Sequence, residues 1–220
     1  YPRTLSSDIK IASKAGANAI WAPTVNEIFL GGPDSNFKLV APAKLQSQLC
    51  GATRQGHFDG VATVMIHLLK HVSPNFLVLG EKDWQQFVIL RKLIRDLGLP
   101  IKVRGVATIR DSDGLAYSSR NQFLSQSERK QSLALSHQLA RANKDAGNGK
   151  ILDLKKMRFF LETKGLEVEY LAVVDPQNLQ PTKANQHFSL LAAAVRCGTT
   201  RLIDHTFLMT RKPIVAIDGP

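Results

Sequence analysis

Asn75-Phe-Leu-Val-Leu-Gly-Glu-Lys-Asp-Trp-Gln-Gln86 is the stretch on which the fold turns. It opens with an apolar run that stops at Gly80. Beyond Gln86, apolar residues recur at Ile89, Leu90, Leu93, Ile94 and Leu97, the spacing of a buried helix face. The order is therefore strand, turn, helix, with Lys82 on the turn. The first turn of a helix already carries unpaired N–H groups and partial positive charge. A bound anion would resolve the conflict. In an open α/β sheet, ligands sit where the carboxyl end of a strand meets a helix start, and a phosphate there receives helix N–H groups and the ammonium together. Lys82, Asp83 and Gln86, at i, i+1 and i+4, are expected on one side of this helix. The alternative is that Lys82 points to water and Asp83 caps the helix; the stretch by itself leaves both open.

Upstream, Ser6-Ser7-Asp8 can cap a short helix through Ala15, with Gly16 as its stop. Residues 17–23 read as a short strand stopped by Pro23, and 31–34 as a loop. Residues 57–72 read as a helix with Val61, Val64, Met65, Leu68, Leu69 and Val72 on one face. Strand 75–79, helix 82–97 (ended by Gly98 and Pro100) and strand 101–109 follow. This alternation implies parallel pairing and a doubly wound α/β sheet. After residue 109 the pattern changes. Asp111-Ser-Asp-Gly114 is a turn, and Ser125-x-x-Glu128 is a capping box opening a helix to about Asn143. Residues 144–149 read as a flexible linker, 151–164 as a helix, and 166–174, 189–195 and 200–208 as strands. The expectation is a Rossmann-like domain over 1–109, a smaller α+β domain over 110–209, and a tail at 210–220.

The 220 residues carry a net charge of +11, which reads either as a solubility device or as the mark of an anionic partner: nucleic acid, a membrane surface or a phosphorylated substrate. The basic residues are scattered, without a long run or an interleaved aromatic platform, so a nucleotide or small anion ranks above a polynucleotide. Cys50 and Cys197 form neither a CxxC pair nor a disulfide framework, which favours a reducing, cytoplasmic setting. No apolar run is long enough to span a bilayer. The chain begins without Met and ends in a strand-like apolar run, so both ends look cut from a longer polypeptide.

A second phosphate-loop candidate is Asp113-Gly-Leu-Ala-Tyr-Ser-Ser-Arg-Asn121, a glycine-led loop with two hydroxyls and a guanidinium; as a bare sequence it also reads as an ordinary polar turn. In Arg54-Gln-Gly-His-Phe58, Arg54 and His57 can hold a carboxylate or simply form a glycine turn with a helix-capping histidine. His67 and His71 have zinc-compatible spacing but lack the HExxH glutamate and a third ligand, and read as solvated helix surface. His137, His187 and His205 stand alone. There is no GxSxG and no Cys–His pairing that suggests a covalent nucleophile.

Together YPRTLSSD, TRQGHFDGVATV, GEKDWQQ, DGLAYSSRNQFLS and GTTRLIDH resemble the pantothenate synthetase (pantoate–β-alanine ligase) family, over residues 1 to about 208. The resemblance implies a nucleotidyltransferase-type, Rossmann-like domain with two ATP signatures. The upstream HxGH-type loop lies outside this sequence, and Gln55 and Tyr117 depart from the residues usual in the family. Also implied is a two-step reaction: pantoate attacks the α-phosphorus of ATP, then β-alanine attacks the pantoyl adenylate to give pantothenate and AMP. Gly80, Glu81, Lys82, Asp83, Ile109, Tyr117, Ser118, Ser119 and Arg120 correspond to ATP-binding positions. Lys82, Ser118, Ser119 and Arg120 among them serve catalysis by neutralising phosphate charge. Gln86, Arg54, His57 and Tyr1 correspond to the pantoate side, and Asp8 to a carboxylate beside Mg²⁺. The tail 212–220 resembles the opening strand of cytidylate kinase, which implies a fused kinase acting on CMP or dCMP. A homodimer is compatible with the resemblance; nucleic acid and membrane are not expected partners. By this reading the 220 residues alone are inactive. The rival readings are another adenylate-forming nucleotidyltransferase and a basic RNA-binding module.

Overall fold

The structure, a computed structural model, describes residues 4–29, 32, 37–183 and 188–209. Tyr1, His187 and the kinase-like tail lie outside the described residues. In chain order the elements are α1 (Leu5–Lys14), α2 (Val25–Ile28), α3 (Ala43–Gln46), α4 (Leu49–Thr53), α5 (His57–Val72), β1 (Phe76–Gly80), α6 (Trp84–Asp96), β2 (Lys102–Val106), α7 (Gln126–Gly147), α8 (Leu154–Thr163), β3 (Glu167–Val174), β4 (Phe188–Cys197) and β5 (Thr200–Met209). Single 3₁₀ turns occupy Glu81–Asp83 and Ser119–Phe123.

The opening stretch folds as the β–α–β unit its pattern implies. β1 pairs in parallel with β2, from Phe76↔Lys102 to Gly80↔Val106, and α6 crosses between them. The spacing of Ile89, Leu90, Leu93 and Ile94 buries that face of α6. Burying each such side chain favours the fold by roughly 1.5–3 kcal/mol. β2 ends at Val106 rather than 109, because its partner strand ends at Gly80. Beyond it the Tyr117 N–H donates to the Ile109 carbonyl at 2.8 Å, closing a loop instead of extending a ladder.

β3, β4 and β5 form an antiparallel sheet in that order. One face, with Leu191, Ala193 and Val195, packs on Leu135 and Leu139 of α7 and Leu161 of α8. The other, with Leu190 and Ala192, packs on Phe87 and Leu90 of α6 and Leu49 and Cys50 of α4. With both faces covered, β4 is apolar without alternation from Leu190 to Val195, as a doubly buried strand should be. The protein is thus a mixed α/β fold with one parallel and one antiparallel sheet, and its larger core joins residues from both sides of position 109.

Several local expectations fail. On α5, Val64 and Val72 are exposed, and Phe58, Ala62, Ile66 and Leu69 face the core; at the end of α6, Leu97 is exposed. Residues 17–23 form no strand; no described strand pairs with them, and an unpaired strand leaves its backbone groups to water. Residues 144–147 are not a linker, since α7 runs on to Gly147 with Ala142 and Ala146 buried one turn apart in the second core. His67 is not solvated surface: it is buried, stacked on Phe37 at 4.4 Å between ring centroids and edge-on to Phe29 at 4.9 Å. His71 is exposed, as read from the sequence.

Candidate active site

A cavity of about 370 Å³ opens where the starts of α5 and α6, the 118–120 loop and β5 converge. Lys82, Asp83, Gln86, Arg54, His57, Ser118, Ser119 and Arg120 all lie on its wall. The two loops that the sequence separates by some thirty-five residues therefore share one space. Asp83 is the N-cap of α6 but makes no side-chain capping bond, which leaves its carboxylate for the cavity. The neighbouring Gln85 is buried and structural: its Oε1 accepts the Cys50 N–H at 3.0 Å, and its Nε2 donates to the carbonyls of Leu45 (2.8 Å) and Gln48 (2.7 Å).

On the opposite wall the 110–121 loop is held from within. Ser118 Oγ accepts the Arg120 N–H at 3.3 Å, and Asn121 Nδ2 donates to the Ala116 carbonyl at 3.1 Å. Arg129 bridges Asp111 and Asp113, each at 2.8 Å. Arg110 grips Asp204 of β5 bidentately, at 2.7 and 3.0 Å, and the Asp204 side chain is only 2% exposed. Among the described residues, Lys82 and Arg120 have no carboxylate partner, so their charge is available to a ligand.

At the pantoate-side positions, Arg54 Nη1 donates to His57 Nε2 at 2.9 Å. Burial, and then the Arg54 charge, hold the His57 imidazole below its ordinary pKa, which suits a ring that accepts rather than donates at Nε2.

Several residues on the wall escaped the sequence reading. His205 is buried beside Trp84, and burial lowers its pKa despite Asp204 next to it. Arg201 donates to Glu169 Oε2 at 2.8 Å and to Cys50 Sγ at 3.5 Å, and Cys50 Sγ lies 3.1 Å from the Tyr170 hydroxyl. Burial pushes the Tyr170 phenol well above its ordinary pKa, with Cys50 adding to the effect, so it stays protonated. The available signal was the period-2 pattern of β5, which places Arg201, Ile203 and His205 on one face.

Other expected positions are not brought to the cavity. Gly80 and Glu81 sit on the Lys82 turn but off the cavity wall; Ile109 and the exposed Tyr117 are also off the wall and close the base of the second loop by their backbone bond. Asp8 is exposed on α1, accepting a bond from Thr4 Oγ1 at 3.3 Å. Among the described residues there is no group of three His, Cys, Asp or Glu able to hold a metal ion, and no helix long and apolar enough to cross a membrane.

A strand–turn–helix cation and a second loop with two hydroxyls and a guanidinium make a cationic pocket in an α/β fold, and that fold is the nucleotidyltransferase type of the pantothenate synthetase structures it superposes on. The chain belongs to the pantoate-beta-alanine ligase family, whose profile matches residues 1–207. Curated relatives include a bifunctional pantoate ligase/cytidylate kinase of Prochlorococcus marinus (strain MIT 9303), 59% identical over 220 residues, and one of Synechococcus sp. (strain CC9311), 53% identical over 222 residues. All of this chain is covered in each match but only 45% of either relative, so the chain spans about half the length of the curated relatives it matches. The pantothenate synthetase of Thermus thermophilus superposes with a TM-score of 0.84 at 35% identity, covering 94% of this chain and 75% of that one. A pantoate-beta-alanine ligase from Francisella tularensis, solved with Beta-gamma ATP and Beta-alanine, gives 0.76 at 26% identity, covering 94% of this chain and 70% of that one.

Proposed function

We propose that the full-length protein condenses pantoate with β-alanine at the expense of ATP, through a pantoyl adenylate, releasing pyrophosphate and AMP. The observation that carries this reading is the meeting of Lys82 and Ser118–Arg120 on one cavity wall. In this reading Lys82 and Arg120 neutralise charge as it spreads over the phosphates, and Ser118 and Ser119 donate hydroxyl bonds to them. Gln86 hydrogen-bonds pantoate, while Arg54 and the neutral His57 orient its carboxylate toward the α-phosphorus. No enzyme nucleophile is required; the gain is positioning and charge stabilisation. Mg²⁺ would supply positive charge to the ATP phosphates, and among the residues matched to the family Asp83 is the carboxylate on the cavity wall that could help hold it. Asp8 has no support as a ligand from its position.

The names of the curated relatives support a further part of the reading, a downstream cytidylate kinase. In the same reading that kinase takes CMP or dCMP and begins in the tail at 210–220. The same reading divides the ligase at about residue 109 and places the enzyme in the cytoplasm. Pantoate-dependent exchange of labelled pyrophosphate into ATP tests it. Exchange with pantoate and not with other hydroxy acids is expected; equal exchange with an unrelated acid would favour a different adenylating enzyme.

A further inference from the structure

Beyond the reaction cavity lies a second one, of about 340 Å³, lined by Arg54, Arg120, Arg196, Arg201, Thr199 and Thr200, with the Phe123 ring as its apolar part. Arg54, Arg120 and Arg201 face both spaces, whereas Arg196 and Thr199 face only the second. Four guanidiniums here meet one carboxylate. Glu169 is gripped by Arg196 through Oε1 at 3.0 Å and by Arg201 through Oε2 at 2.8 Å, so positive charge remains in excess. Arg196 engages Glu169 through Nε, and no described residue takes a bond from its Nη groups. Planar guanidinium forks suit phosphate oxygens, and several of them around one space suit an ion carrying more than one phosphate.

We propose that this second cavity is a binding site for inorganic pyrophosphate, the seat into which the leaving group moves from the reaction cavity. The claim rests on the adenylation reading for its direction of travel. The binding itself does not: it follows from the arginines. Arg54, Arg120 and Arg201 are common to both walls, so a pyrophosphate ion that moves from one space to the other stays among guanidiniums. Arg196 and Thr199 supply what the reaction cavity lacks.

Calorimetric titration of the full-length protein with pyrophosphate, without turnover, tests this against Arg196→Gln and, as a milder variant, Thr199→Val. Arg196→Gln is expected to weaken pyrophosphate binding roughly tenfold, as loss of a charge-assisted bond does, and to leave ATP affinity within about twofold. Thr199→Val should weaken it in the same direction with circular dichroism unchanged. The proposal is overturned if both variants bind pyrophosphate as the parent does, or if Lys82→Ala alone abolishes binding. It is also overturned if acetate and β-alanine bind as tightly as pyrophosphate, since the site would then be a general carboxylate seat. Failure of the adenylation reading shows separately, as absent pantoate-dependent exchange in a protein whose pyrophosphate affinity still responds to Arg196→Gln.

Discussion

Lys82 stands on a turn whose backbone already favours anions, and no described carboxylate answers its charge. That residue was legible because its whole context, strand, turn and helix start, is contiguous. Lys82→Ala in the full-length protein should lower the pantoate-dependent rate at least about a hundredfold, the scale of losing one preorganised donor; a folded variant that loses less than about tenfold contradicts the role. Beyond the shared β5 face of Arg201 and His205, the places of Arg201, Tyr170 and His205 on the cavity wall were not legible, because their neighbours there come from distant segments. The burial of His67 was hidden for the same reason: the aromatic rings that cover it come from residues 29 and 37. His205 and His57 make stability depend on pH. Both imidazoles titrate below their ordinary pKa in the fold, chiefly through burial. The unfolded chain therefore binds more protons just below that ordinary value, and the stabilisation present above it is lost as pH falls toward the lowered folded pKa values. Urea unfolding at about pH 7.5 and about pH 5.5 should show lower stability at the acid end. His205→Gln should reduce the difference.

Elements were legible where periodicity and capping agree. Ser125 Oγ accepts the Glu128 N–H while the Glu128 carboxylate accepts the Ser125 N–H, so the capping box read from S-x-x-E is present. Ser125→Ala should cost about 1 kcal/mol in urea unfolding. The end of α7 was illegible because glycine and asparagine suggest a break, whereas Ala146 is held in the core by tertiary packing that overrides local propensity. The missing strand at 17–23 makes the same point in reverse: apolar residues at a strand-like spacing form no ladder without a partner. Gln85, unremarked beside Gln86, ties α6 to the α3–α4 segment. Gln85→Leu strips the buried Cys50 N–H of its acceptor and should destabilise by at least about 2 kcal/mol. The companion Gln86→Leu should instead raise the KM for pantoate and leave stability nearly unchanged.

At the scale of the molecule, the α/β unit and the antiparallel sheet are joined by side-chain bonds that no local pattern announces. Trp84 Nε1 donates to the Pro176 carbonyl at 2.8 Å, and Arg110 binds Asp204 across to β5. Arg110→Met would leave the nearly buried Asp204 carboxylate unpaired and should cost about 3 kcal/mol, with the 118–120 loop loosened from the cavity. The cations of Lys82, Arg54, Arg120 and Arg201 give the cavity the sign that a polyphosphate needs. The most direct measurement is an experimental structure of the full-length protein with a non-hydrolysable ATP analogue and pantoate. Phosphate oxygens are expected within about 3 Å of both Lys82 Nζ and the Ser118–Arg120 segment. A triphosphate bound elsewhere, with Lys82 left to solvent, would contradict the shared phosphate site.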